Sequence, residues 1–124
     1  MYLSDLSSYN HVLNQRNKLL KDIGSSSGLA ATLDVWDEQL VRYGRSIIES
    51  RHEFIRDIND IIGEIHSSIT GGKEKIELVY EPNVRSEEFY EQLGRNREKD
   101  FKFRNTSSGP HRDDLCVRIN EIDI

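Results

Sequence analysis

Four ionisable side chains follow a Gly-Pro pair without interruption in Gly109-Pro110-His111-Arg112-Asp113-Asp114. The Gly-Pro pair fixes a sharp turn, and an apolar strand pattern comes next. An arginine held on such a turn can meet a phosphate or a carboxylate in bidentate fashion. The run therefore reads in one of two ways. It forms the mouth of an active site or a subunit interface, with His111, Arg112, Asp113 and Asp114 as candidates, or it is a solvated turn whose charges pair locally. A protein-kinase catalytic loop is excluded, because the asparagine that must follow five residues after Asp113 is Arg118, and no glycine-rich loop is present.

A second cluster is basic. Between Arg95 and Arg104 five cations (Arg95, Arg97, Lys99, Lys102 and Arg104) stand against Glu98 and Asp100, with Phe101 and Phe103 interleaved. Cations with aromatics at this spacing can track a nucleic-acid backbone and stack on bases. The plainer alternative makes the phenylalanines core anchors and the bases a solvated face. Arg16, Lys18 and Lys21 form a smaller basic group, which also suits the C-terminal end of a helix. All eight cations are candidates for DNA contact.

No self-contained catalytic site emerges. Gly72-Lys73 is followed by Glu74 and lacks the upstream glycine of a phosphate-binding loop. The histidines at 11, 52, 66 and 111 have no zinc-ligand spacing, so no metal site is expected. Cys116 is the single cysteine, which excludes a disulfide framework, and no base accompanies it.

The elements that must position these residues follow from periodicity. Residues 2 to 23 read as one amphipathic helix, with Tyr2, Leu6, Tyr9, Leu13, Leu20 and Ile23 along a seam in which Arg16 is the one non-apolar member. Gly24-Ser25-Ser26-Ser27-Gly28 ends it. A second helix is predicted over 30–69, carrying Trp36, Leu40, Tyr43, Ile47, Phe54, Ile58, Ile61 and Ile65 and eight acids against four bases. At 1.5 Å per residue it would be about 57 Å long. The short loop makes the pair an antiparallel hairpin. Beyond the reach of the first helix, the second must pack on something else.

After Thr70-Gly71-Gly72 the period becomes two. Ile76, Leu78 and Tyr80 share one side of a strand that ends before Pro82. A helix over about 87–99 follows Ser86 and presents Phe89, Tyr90 and Leu93. Leu115, Val117 and Ile119 mark a second strand. Asn120-Glu121 reads as a hairpin turn, with Asp123-Ile124 starting a returning strand. A hairpin arm over 1–70 and a small α/β segment over 71–124 result, within an α-rich α+β class.

At 124 residues with a net charge of −5, the chain is not a general cationic coat for nucleic acid or membranes. It has no apolar run of membrane-spanning length and no signal-peptide core. A cytoplasmic setting without membrane contact is the expectation. The open final hairpin suggests a piece of a larger protein. Two function classes compete: part of a DNA-repair ATPase, or a coiled-coil scaffold without a nucleic-acid role.

Several runs, in order, resemble the RecF family of bacterial recombination and gap-repair ATPases, relatives of the SMC proteins. They are Gln15-Arg16-Asn17-Lys18-Leu19-Leu20-Lys21, Trp36-Asp37-Glu38-Gln39-Leu40 with Tyr43-Gly44, and Arg51 with Phe54. Next come Ile65-His66 with Ile69-Thr70, Tyr80, and Leu93 with Arg97 and Asp100. Thr106 with Gly109-Pro110-His111-Arg112-Asp113-Asp114-Leu115 and Ile119-Asn120 complete the likeness. Glu121 departs from it, since the family usually has glycine there.

The resemblance implies a helical arm inserted into an ABC-type ATPase head, plus the strands that lead back into that head. It implies ATP and Mg²⁺ in the full-length protein, an ATP-dependent homodimer on single-stranded, double-stranded and gapped DNA, and cooperation with RecR and RecO to load RecA. The Walker A, signature and Walker B motifs would lie outside these residues. The fragment is then not catalytic and binds no cofactor by itself, and His111, Arg112, Asp113 and Asp114 belong near the head or dimer interface.

Overall fold

The computed structural model describes residues 2–22 and 29–121. Helix α1 spans Tyr2–Asp22 and α2 spans Leu29–Thr70. The 42 residues of α2 make a rod of about 63 Å. Contacts pair Tyr2 with Arg51, Asp5 with Ser46 and Arg16 with Asp37, so numbers rise along one helix as they fall along the other. The two helices are antiparallel. The expected connecting turn at 24–28, and Ile23, lie outside the described residues.

The seam differs from the predicted one in detail. Tyr9, Val12, Arg16 and Leu20 are buried on α1, as are Leu33, Asp37, Leu40, Val41, Ile47 and Ile48 on α2. Trp36 and Tyr43 flank that stripe and are half-buried. Gly44 lies within it and lets another ring in: a Cβ there would stand 2.4 Å from Phe89 Cε2 and 3.2 Å from Tyr9 Cε2. Phe54, Ile61 and Ile65, expected on the seam, are exposed, while Ile55, Ile58, Asn59 and Ile62 in this stretch of α2 are half-buried.

Strands β1 (Glu74–Glu81) and β2 (Asp114–Glu121) pair antiparallel, with Tyr80 opposite Leu115, Leu78 opposite Val117 and Ile76 opposite Ile119. These six side chains share one face, as the alternation requires. The predicted turn at Asn120-Glu121 is corrected: both residues continue the ladder, opposite Lys75 and Glu74. Strand β1 starts early enough to give them partners. Asp123 and Ile124, the expected returning strand, lie outside the described residues.

The second half of α2 runs along the free edge of β1. The Asn59 carboxamide donates to Leu78 O at 2.9 Å and accepts from Leu78 N at 2.7 Å, as a neighbouring strand would. This covers an edge that would otherwise offer unpaired backbone groups. His52 packs edge-on against Tyr80 on the same flank.

The single helix predicted over 87–99 is a 3₁₀ turn at Ser86–Glu88, then α3 (Phe89–Arg95) and α4 (Arg97–Phe103). The break falls at Asn96, whose side chain donates to Ser108 Oγ at 2.6 Å. Phe89 and Leu93 enter the core with Tyr9, Val12, Leu40, Ile47 and Val84. Arg104 ends α4 in a left-handed conformation at φ 55°. A 3₁₀ turn at Pro110–Arg112 leads into β2.

Candidate functional site

Two polar networks tie the hairpin to the smaller segment, and both draw on residues singled out from the sequence. The first centres on Arg16, which is 0 % exposed. Its Nε donates to Asp37 Oδ1 at 2.6 Å, and its Nη1 donates to Asp100 Oδ2 and to Thr106 Oγ1, both at 2.9 Å. Thr106 Oγ1 donates onward to Asn17 Oδ1 at 2.7 Å. The second Asp100 oxygen accepts from Ser107 N at 3.1 Å and Ser107 Oγ at 2.7 Å. Arg97 closes the network through Asp34 and through Asp37 Oδ2 at 3.0 Å, pairings that outweigh its partial burial and raise its pKa. One arginine thus joins α1, α2, α4 and the 105–107 loop. A buried charge is tolerated only when paired and hydrogen-bonded in this way.

The second network is built on the Gly-Pro turn. Arg51 donates through Nε to Tyr2 OH at 2.9 Å, and through Nη1 to Pro110 O at 2.8 Å and Asp113 Oδ2 at 2.7 Å. Tyr80 OH donates to the same Asp113 oxygen, while Asn83 N donates to Asp113 Oδ1 at 2.8 Å. Partial burial opposes the Arg51 charge, but the bonds to Tyr2 and Asp113 outweigh it and hold its pKa high. Burial, then the Asp113 carboxylate, pushes the Tyr80 phenol up.

His111 faces inward as well. Its Nε2 donates to Thr106 O at 2.9 Å, since a carbonyl can only accept, so the neutral ring accepts at Nδ1 from Tyr9 OH at 2.6 Å. Burial lowers the His111 pKa and raises that of Tyr9. Gly109 makes this approach possible. Its φ is 134°, and a Cβ there would lie 2.3 Å from Tyr9 Oη.

The predicted residues therefore separate. Among the head-interface candidates, His111 and Asp113 are internal ties, whereas Arg112 and Asp114 are exposed. Among the DNA-contact candidates, Arg16 is removed from the surface because it neutralises two buried carboxylates, and Arg97 is engaged with Asp34 and Asp37. Arg95 pairs with Glu91 across one helical turn at 3.4 Å. Lys18, Lys21, Lys99, Lys102 and Arg104 are exposed and form no ion pair among the described residues. Sequence reasoning did not give Asp37, Arg51, Tyr9 or Tyr80 a role. The signal for the first was a charged residue at a seam position, which demands a buried opposite charge at matching height.

Asp113 and Arg51 also border an open groove of about 830 Å³ whose apolar wall includes Leu3, Leu6, Phe54, Ile55 and Leu115. Among the described residues no group of three or more His, Cys, Asp or Glu side chains could hold a metal ion. No helix there is long and apolar enough to cross a membrane.

A long antiparallel arm is thus locked by buried ion pairs to a smaller strand–helix–strand platform. No family model matches the chain. It is 52 % identical to the DNA replication and repair protein RecF of Lachnospira eligens, over all of this chain and 35 % of that protein. For RecF of Agathobacter rectalis the identity is 48 %, over all of this chain and 34 % of the relative. Two solved structures of the recombination mediator RecF in the RecFOR pathway, one with ATP and one with ATPrS, superpose with a TM-score of 0.83 at 30 % identity. They cover 98 % of this chain, which spans 35 % of theirs. The chain is homologous throughout to a segment of RecF, about a third of the length of the relatives it matches.

Proposed function

We propose that this chain is the arm-bearing segment of a cytoplasmic RecF-like ATPase that acts on gapped DNA in recombinational repair. In that reading the full-length protein binds ATP with Mg²⁺, dimerises on DNA when ATP is bound, and works with RecR and RecO to load RecA. The described residues contain no glycine-rich loop with a lysine and Ser/Thr, so they do not fit the phosphate-binding loop of an ATP site. ATP chemistry is assigned to the rest of the protein. What this segment contributes is mechanical and electrostatic. The Arg16 network joins α1, α2 and α4, and the Asn59–Leu78 and Arg51–Asp113–Tyr80 bonds join α2 to β1, so a movement imposed on the β1–β2 platform is passed to the arm.

The observation that carries this reading is the 52 % identity to RecF over the whole chain, in an arrangement that matches RecF–ATP with a TM-score of 0.83. The test is binding of gapped duplex DNA by the full-length protein, with and without ATP. Tighter binding with ATP is expected. Binding that ignores the nucleotide across a range of salt concentrations overturns the proposal, and no DNA binding even at low salt favours a scaffold.

A further inference from the structure

The end of α4 and the turn before β2 enclose a hollow of about 490 Å³, lined by Lys99, Asp100, Phe103, Asn105, Ser107 and Arg112. Its one carboxylate is already committed. Asp100 gives one oxygen to Arg16 and the other to Ser107. Lys99 and Arg112 have no ion-pair partner among the described residues, so the hollow is electropositive.

Arg112 is held in place by its surroundings. Its backbone N–H donates to Gly109 O at 3.0 Å, and the residues on either side are both tied inward, His111 to Tyr9 and Asp113 to Arg51. Only the guanidinium is left to face outward. Phe103, in the same lining and directly before the left-handed turn at Arg104, is 65 % exposed. The Lys102 ammonium sits 5.6 Å from the ring centroid. An exposed guanidinium on a tied backbone, a second cation and a largely exposed aromatic ring in one concavity match the two halves of a nucleotide: a phosphate and a flat base.

We infer that this hollow is a nucleotide-unit site, in which Arg112 and Lys99 take one phosphodiester of a single-stranded nucleic acid and Phe103 stacks the adjoining base. Lys102 and Arg104 then flank the path of the strand on either side. This rests on the reading that the full-length protein works on DNA, and it adds where an unpaired strand is gripped. A free nucleotide offers the same two chemical groups, so the experiment separates the two sources.

The full-length protein is irradiated with an oligothymidylate carrying one 5-iododeoxyuridine, and the adduct is mapped by peptide mass spectrometry. An adduct at Phe103 is expected. Arg112→Ala, an exposed substitution, should lower its yield at least about fivefold, the loss of one charge-assisted contact. Arg112→Ala with Lys99→Ala should reduce the salt slope of binding by about 0.7, the value for one phosphate of a single strand. Phe103→Ala should weaken single-strand binding at least about fivefold. Tight DNA binding with no adduct at Phe103, or an adduct indifferent to Arg112→Ala, overturns this site and leaves the broader reading standing. Competition by ATP where excess unlabelled oligomer fails assigns the hollow to a free nucleotide and overturns the strand. Absence of any DNA binding removes both proposals.

Discussion

Arg16 on α1 and Asp100 on α4, 84 positions apart, are ion-paired at 2.9 Å with neither side chain exposed to solvent. Removing the guanidinium would leave Asp100 buried without its counter-charge and Asp37 with Arg97 alone. Arg16→Met should therefore destabilise the protein by about 3–5 kcal/mol. Replacing both carboxylates with leucine alongside Arg16→Met should recover much of that loss, because no buried charge is then left alone. Urea midpoints of the single and triple variants check this. A single variant as stable as the parent would mean that water reaches the site.

Gly44 and Phe89 form a second joint, where the ring lies so close to α2 that an added methyl would meet it at 2.4 Å. Alanine is the better helix former by about 1 kcal/mol. Overpacking of a closed core costs about 1–3 kcal/mol, so Gly44→Ala should be neutral to destabilising despite the propensity gain. Thermal unfolding of Gly44→Ala, compared with Gly63→Ala, where a Cβ meets nothing within 4 Å, separates the two effects. A gain of stability at both positions would show that Phe89 moves aside freely.

Periodicity was enough to read α1, α2, β1 and β2 from the residues, because each repeats its apolar positions several times. It was weaker where structure depends on single contacts. The helical pattern is interrupted at Asn96, where the side chain bonds Ser108, and nothing local marks that position as a break. Asn120 and Glu121 have the composition of a turn, yet β1 starts at Glu74 and supplies both with partners. The Gly-Pro turn was visible as a cluster of charge. That His111 and Asp113 point inward while Arg112 does not depends on Tyr9, Arg51 and Tyr80, which reach the turn from distant parts of the chain. Arg16 stood out as the one polar seam residue, but a cation near a helix end reads equally well as solvated.

Asn59 and the Leu78 backbone make a pair of bonds that no apolar side chain can replace. Asn59→Leu should remove both and reopen the edge of β1, at a cost of about 1–3 kcal/mol. Hydrogen exchange at the Leu78 amide is the direct readout, since its acceptor is the Asn59 side chain. Protection should fall there more than at amides bonded within the β1–β2 ladder. Unchanged protection would mean that the strand edge is covered by another group.

The Tyr9–His111–Thr106 chain makes stability depend on pH in a definite direction. The neutral imidazole donates at Nε2 and accepts at Nδ1, and a second ring proton would oppose the Tyr9 donor. Burial, more than any other influence, lowers the His111 pKa from its usual 6.5, and nearby Arg112 and Arg16 lower it further against the opposing Thr106 bond and Asp113. The unfolded chain then binds the proton more readily than the folded one. Stability from this group is fully present above about pH 6.5 and is lost as the pH falls below it, at up to about 1.4 kcal/mol per pH unit until the folded pKa is reached. His111→Gln keeps a donor and an acceptor without a titrating proton. Its unfolding free energy should change less than the parent's between pH 7.5 and 5.5. Identical pH profiles for the two proteins would show that His111 takes up its proton in place, with Tyr9 turning to accept instead.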